Sequence, residues 1–264
     1  MYNKIKQSAN FFLIAGPCVI ESEEIMFKIV EELKQSTSDL DIPFIFKASY
    51  KKANRTSIDS YSGVGLDEGL TILDKIKKEF SLPIITDIHE SWEAKIVAEV
   101  ADILQIPAFL SRQTDLLVEA GKSGKIVNIK KAQFMAGEDV LKAAEKVVST
   151  GNKQIMLTER GTCFGYHNLV VDFRNFALMH DSGYPVIYDV THSLQQPSIG
   201  KTSGGTPQYV PLMAKAALAS GMVDGLFLET HPEPSKGLSD AKTMFELGRM
   251  KELLTDCLRI WNAR

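Results

Sequence analysis

Eight short runs of apolar and β-branched residues recur along this 264-residue chain, each followed by polar residues and then by a segment of helical period. They are FFLIA (11–15), PFIFK (43–47), PIITD (83–87), DILQI (102–106), IVNIK (126–130), IMLTE (155–159), VIYDV (186–190) and GLFLE (225–229). Between them, segments such as EEIMFKIVEELKQ, LDEGLTILDKIKKEF and EDVLKAAEKVV are apolar at i, i+3, i+4 and i+7 and charged on the opposite face. An open doubly wound sheet also alternates strand and helix. Eight units in this length, with no Gly-rich dinucleotide fingerprint, favour a closed α/β structure, the (β/α)8 or TIM barrel. No Ser/Pro-rich linker or low-complexity tract marks a second domain, so residues 1–264 are expected to form one barrel, with the first ten as a small cap beneath it.

The 30 basic and 33 acidic residues give a net charge of −3, which provides no footprint for nucleic acid or an anionic membrane. Three cysteines, Cys18, Cys163 and Cys257, are too few and too far apart for a disulfide framework and suit a reducing compartment. No apolar run has the length of a membrane span, and MYNKIKQSAN lacks the features of a signal peptide. A soluble, cytoplasmic protein is expected.

In a barrel of this kind function gathers where the strands run out at the C-terminal face. Here the strands reach Lys47, Asp87, Gln105, Lys130, Glu159 and Arg160, Asp189 and His192, and Glu229. Any one alone reads as a solvated loop residue; together they point to one polar mouth. Lys47 and Lys130 end otherwise apolar strands, where an unpaired ammonium is costly, so an anionic partner is expected.

Four residues of metal-ligand chemistry would share that mouth: Cys18, His192, Glu229 and Asp240. A thiolate, an imidazole and two carboxylates suit Zn²⁺, Fe²⁺, Mn²⁺ or Co²⁺ better than Mg²⁺. Their spacing carries little weight, since Cys18 also reads as a small buried hydrophobe and His192 as a backbone-bonded loop residue. His231, restrained by Pro232, is a weaker rival to His192. His167 and His180 read as surface residues, Cys257 as helix core and Cys163 as a loop thiol. The loop KASYKKANRTS (47–57) carries four cations and three Ser/Thr hydroxyls, a set suited to a phosphate ester with Arg55 gripping in bidentate fashion, or equally to a solvated basic loop. Lys130 and Arg160 would hold a second anion deeper in the mouth.

The ordered series AGPCVIES, FKASYKKANRTS, ITDIHE, LQIPAFLSRQTDL, NIKKAQF, ERGTCFGYHNLVVDF, YDVTHSLQ, SGG and ETHPEPSKGLSDA resembles the 3-deoxy-D-manno-octulosonate 8-phosphate synthases over nearly the whole chain. The resemblance implies a barrel, usually a homotetramer, that condenses phosphoenolpyruvate with D-arabinose 5-phosphate and releases phosphate, supplying lipopolysaccharide synthesis. That family has a metal-independent class with asparagine at the Cys18 position and a class with cysteine and a divalent metal. Cys18 and the SDA around Asp240 imply the second class, with Cys18, His192, Glu229 and Asp240 as ligands. The resemblance further implies that Lys130 and Arg160 hold the phosphoenolpyruvate phosphate, with Gln105 and the Pro107-Ala108 backbone nearby and Lys52 by its carboxylate. Asn54, Arg55 and Thr56 would receive the arabinose phosphate, helped by Arg112 from a neighbouring subunit. Lys47, Asp87 and His89 would line the gap between the substrates.

Charge supports this scheme: Lys47, Lys52, Arg55, Arg112, Lys130, Arg160 and a divalent cation, less Cys18 thiolate, Asp87, Glu229 and Asp240, leave about +4 against substrates carrying roughly −5. Two positions depart from the family pattern. Thr206-Pro207-Gln208 stands where an Arg-containing segment is common, and Cys163 where a hydroxyl or amide is usual. The alternatives are a related heptulosonate-phosphate synthase using erythrose 4-phosphate, which KANRT disfavours, and an inactive barrel that only binds phosphate esters.

Overall fold

The computed structural model describes residues 1–55, 57–197 and 204–264; Thr56, one of the expected sugar-phosphate residues, lies outside them. Eight parallel strands close on themselves in sequence order: β1 (Phe12–Gly16), β2 (Phe44–Lys47), β3 (Ile84–Asp87), β4 (Ile103–Ile106), β5 (Ile126–Lys130), β6 (Ile155–Glu159), β7 (Val186–Asp189) and β8 (Gly225–His231). β8 pairs back onto β1 in the register Phe12↔Gly225, which closes the barrel. The outer helices are α1 (Glu23–Ser38), α2 (Leu66–Phe80), α3 (Glu93–Val97), α4 (Thr114–Lys122), α5 (Asp139–Val148), α6 (Arg174–His180), α7 (Val210–Ala219) and α8 (Met250–Asn262). The expected (β/α)8 barrel is therefore the observed architecture.

Local chemistry explains the elements. Ser22 caps α1 by accepting from the Ile25 amide, with Glu23 and Glu24 in the first turn facing the positive end of the helix dipole. Met26, Ile29, Val30 and Leu33 recur at helical spacing and are buried against the barrel wall, each contributing about 1.5–3 kcal/mol of transfer free energy. The strands carry side chains alternately inward and outward. Outward residues such as Leu13, Phe46, Leu104, Leu157 and Leu228 pack under the helices. Inward residues form a separate apolar plug that includes Phe12, Ile45, Ile103, Met156 and Phe227. The N-terminal helix Tyr2–Lys6 caps the plug from below: Ile5 joins it, and the Tyr2 hydroxyl donates to the Ile155 carbonyl at 2.8 Å.

Further along the same inward faces the residue type changes from apolar to polar. Ile45 is followed by Lys47, Ile85 by Asp87, Ile103 by Gln105, Ile187 by Asp189 and Phe227 by Glu229, all of them buried. Parity also corrects one sequence expectation. Glu159 has the outward phase of Leu157, and its carboxylate accepts from the Gly161 amide and from Asn175 of α6 instead of facing the mouth. Arg160, one residue on, has the inward phase. No helix of the described residues is long and apolar enough to cross a membrane.

Candidate active site

Two adjoining cavities open at the C-terminal end of the barrel, and Lys52, Asn54, Gln133, Arg160 and His192 line both. The deeper one is also lined by Lys47, Asp87, His89, Gln105, Pro107 and Lys130. The outer one reaches Arg55 and the loop from Gly237 to Lys242. A Cβ on Gly16 would sit on the Lys47 carbonyl, so only glycine lets β1 pass this close to β2 just below the mouth.

The strand-end groups are interlocked. Lys47 Nζ lies 2.8 Å from Glu229 Oε1 and donates to the Cys18 carbonyl at 3.2 Å. Asp87 accepts from Ser49 and from Gln105 (2.6 Å), and Asn128 donates to Gln105 at 2.9 Å. Lys130 Nζ is 2.6 Å from Asp189 Oδ2 and 3.9 Å from the centre of the Phe227 ring, which floors the mouth. Burial pushes the Asp87 carboxyl up, but Lys47, Lys52, His89 and Lys130 outweigh it and hold the group ionised, well below the usual carboxylate range. Burial pulls the Lys130 ammonium down against the opposing pull of Asp189. Arg160 is buried; its Nη2 bonds Gln195 at 3.0 Å and its Nη1 has no partner. A buried guanidinium nitrogen left over in a cavity with Lys130 is a ready partner for an oxyanion.

Cys18, Glu229 and Asp240 bring ligand atoms within 4.8 Å of one another. Cys18 Sγ is 3.3 Å from Asp240 Oδ2 and 2.8 Å from Ser239 Oγ. His192 sits on a single helical turn, Val190–Ser193, capped by Asp189. Its Nδ1 lies 2.8 and 3.0 Å from the two Asp189 oxygens, so the hydrogen-bond network assigns the ring proton there. Nε2 is left as a lone pair, 3.5 Å from Glu229 Oε2 and 4.0 Å from Asp240 Oδ2. Glu229 Oε2 is buried with no hydrogen-bond partner. An imidazole oriented by a carboxylate, a thiol and two carboxylates, with one carboxylate oxygen orphaned among them, fit a divalent cation of intermediate softness. Burial, with Asp240 and Glu229 alongside, raises the Cys18 thiol well above its ordinary value, so cation binding must displace its proton.

Other expected residues are placed as follows. Asn54 and Arg55 stand at the rim; Arg55 Nε donates to the Tyr61 carbonyl at 3.0 Å and Nη1 is 3.7 Å from Asp240. Pro107 and Ala108 line the deeper cavity. Arg112 is exposed and lines neither cavity. His231 turns away from the ligand cluster, its Nδ1 against the Glu233 backbone and its Nε2 3.7 Å from Glu21. His167, His180 and Cys163 are exposed, and Cys257 is buried in the helix layer. Thr206, Pro207 and Gln208 lead into α7 and line neither cavity. Residues that sequence reasoning did not single out include Asp189 as the anchor of both Lys130 and His192, Gln133 with a buried unpartnered Oε1, and Ser239 against the Cys18 sulfur. Asp189 itself was expected at the mouth from its strand end; its double partnership was not.

Comparison with known proteins adds an independent line. A 2-dehydro-3-deoxyphosphooctonate aldolase of Desulfatibacillum aliphaticivorans is 54% identical over 256 residues, covering 97% of this chain and 93% of its own. Proteins of the same name from Acidithiobacillus ferrooxidans and Xanthomonas campestris pv. campestris are 52% and 51% identical, over 92% and 94% of this chain and 87% and 90% of theirs. A family model described as the DAHP synthetase I family matches residues 4–259. With a closed barrel, its strand-end cations gathered in one mouth and these similarities, the chain belongs to the DAHP synthetase I family.

Proposed function

We propose that this chain carries out the reaction associated with the aldolases it resembles: condensation of phosphoenolpyruvate with D-arabinose 5-phosphate and water to give 3-deoxy-D-manno-octulosonate 8-phosphate and phosphate, a precursor step of lipopolysaccharide synthesis. The observation that carries the reading is the convergence of Lys47, Lys52, Lys130 and Arg160 on one cavity that continues into a second lined by Asn54 and Arg55. Two anionic substrates need two such sites in contact.

Lys130 and Arg160 hold the phosphate of the enol substrate and Lys52 its carboxylate, beside Gln105, Pro107 and Ala108. Asn54, Arg55 and Thr56 receive the sugar phosphate. C3 of the enol attacks the sugar aldehyde and water adds at C2; the resulting phosphohemiketal breaks its C–O bond to phosphate. Lys47, Asp87 and His89 line the gap between the substrates, within reach of the proton the aldehyde oxygen gains and the one the water loses. Cys18, His192, Glu229 and Asp240 hold a divalent cation of the Zn, Fe, Mn or Co type. When bound, that ion supplies charge to polarise a carbonyl or a water.

The domain reading is one catalytic barrel over residues 1–264, working in the cytoplasm. The assembly reading is a homotetramer, with Arg112 serving a neighbour's site. Large exposed side chains support it: Phe134, Phe164, Val170 and Phe173 line one groove.

The test is phosphate release from phosphoenolpyruvate that depends on arabinose 5-phosphate, measured with and without a chelator. Release that prefers erythrose 4-phosphate moves the chain to the heptulosonate reaction, and no release with either sugar leaves only a binding barrel.

A further inference from the structure

Lys131 and Glu159 form the one fully buried lysine–carboxylate pair outside the mouth among the described residues. Each is the chain neighbour of a mouth cation, Lys130 and Arg160, and strand alternation places it on the outer side of the sheet. The Lys131 Nζ is 3.5 Å from Glu159 Oε1 and donates to the Ala132 carbonyl (3.1 Å), the Met135 carbonyl (3.2 Å) and the Thr162 hydroxyl (3.3 Å). Glu159 accepts from the Gly161 amide at 2.6 Å and from Asn175 Nδ2 at 2.9 Å. The pair thus ties the loop after β5, which carries Gln133, to the loop after β6, which carries Arg160, and both to the start of α6. Gly161 has φ +89°, so the chain turns sharply where Glu159 grips it.

On the mouth side Lys130 is held by Asp189 and Arg160 Nη2 by Gln195, but two polar atoms of the same segments are left over. Arg160 Nη1 and Gln133 Oε1 are buried without partners. With the Arg160–Gln195 bond as their one side-chain hydrogen bond among the described residues, the two side chains depend on the backbone behind them for their placement. A buried ion pair is weak evidence for stability, because apolar residues of similar volume do as well or better. Its presence here calls for another role.

We propose that Lys131 and Glu159 are positioning residues that fix the spacing of Lys130, Gln133 and Arg160 to fit the phosphate of the enol substrate. The proposal rests on the reading of Lys130 and Arg160 as the phosphate site.

The experiment compares Lys131→Met, Glu159→Gln and the double variant by steady-state kinetics in both substrates, competition by inorganic phosphate, and thermal midpoint. Each single variant is expected to raise the KM for phosphoenolpyruvate and the inhibition constant of inorganic phosphate by about tenfold, with kcat and the arabinose 5-phosphate KM changed by no more than about twofold. The double variant leaves no unpaired buried charge. It should regain thermal stability while keeping the raised phosphoenolpyruvate KM. If Lys131→Met does not fold, Glu159→Gln and the double variant carry the test. A double variant that recovers both stability and KM, or a folded single variant with parental KM, overturns the proposal. Arg160→Ala is the control: an unchanged phosphoenolpyruvate KM there sinks the phosphate-site reading itself, whereas a raised KM there beside parental values in Lys131→Met sinks only the positioning role.

Discussion

The Nε2 atom of His192 faces Oε2 of Glu229 at 3.5 Å, too far for a charge-assisted hydrogen bond, and the glutamate oxygen is buried with no other partner. The other oxygen of Glu229 is taken by Lys47 at 2.8 Å, and the other nitrogen of His192 by Asp189 at 2.8 Å. Two electron-pair donors held face to face by partners behind them are arranged for a cation between them. Burial opposes ionisation of Glu229, yet the ammonium groups of Lys47, Lys52 and Lys130 hold its carboxyl well below the usual range, so the group is ionised at neutral pH.

Removing the sulfur from this cluster separates a ligand from a filler. Cys18→Ala is expected to lower metal affinity by more than about 100-fold, beyond the effect of residues that only orient a ligand, and to abolish activity. Cys18→Asn should keep residual activity that a chelator does not change, because the amide can hydrogen-bond to neighbours in the ion's place. Metal content by elemental analysis, with turnover before and after chelation, checks both. Stoichiometric metal and normal turnover in Cys18→Ala would return the thiol to a packing role.

Two of the four cations of the deeper cavity, Lys130 and Arg160, should act on one substrate. Lys130→Ala and Arg160→Ala each remove a charge-assisted partner worth about 1.5–3 kcal/mol, so the phosphoenolpyruvate kcat/KM should fall by about 10–100-fold in each. Kinetics indistinguishable from the parent would refute the placement. Lys130→Ala also strips Asp189 of its 2.6 Å partner, so its thermal midpoint should drop more than that of Arg160→Ala.

The barrel and most of its mouth were legible because strand parity and strand ends are one-dimensional signals. Ile45 to Lys47 and Ile85 to Asp87 are each a step of two, and the step of two keeps the face. The same rule, applied strictly, would have separated Glu159 from Arg160. What the sequence did not display is partnership across strands. That Asp189 serves both Lys130 and His192, or that Ser239 meets Cys18 across 221 positions, depends on loop paths that no local pattern encodes. Arg112 is a further case: its neighbours within the chain leave it exposed, and a role in another subunit's site has no signature in one chain.

Arg55 stands at the rim between the outer cavity and Asp240. Arg55→Ala is expected to raise the KM for arabinose 5-phosphate by about tenfold, the size of one charged hydrogen bond, with little change for phosphoenolpyruvate. The reverse pattern would mean that the two anion sites have been exchanged.

An exposed Arg112 that acts across subunits should be rescued in trans. Arg112→Ala alone should lose activity. Hybrid oligomers refolded from Arg112→Ala and Lys130→Ala chains should regain part of it, since one site in such a hybrid can hold both intact residues. Hybrids verified by mass that show no recovery would make Arg112 a residue of its own subunit or of none.

Glu93 offers a measurement that is independent of substrates. Its Oε2 accepts from the Tyr50 hydroxyl at 2.8 Å and from the amides of His89 and Glu90 at 2.6 and 3.1 Å, beneath the imidazole of His89 in the mouth. Burial pushes its carboxyl up, but the His89 imidazole, its Nδ1 3.6 Å away, and these donors together lower it from 4.5 to about 2. The unfolded chain therefore binds more protons than the folded one between those values, and the contribution of Glu93, fully present above 4.5, is lost as pH falls toward about 2. Glu93→Ala strands three donors and should cost about 2–4 kcal/mol at neutral pH. Glu93→Gln keeps the shape but cannot ionise, so the difference in thermal midpoint between it and the parent should shrink steadily on acidification from about pH 6 to about pH 3. Asp87 is also held below its ordinary value, but it is common to both proteins and cancels in that difference. Parallel pH profiles for the two proteins would show that the Glu93 charge contributes nothing to stability.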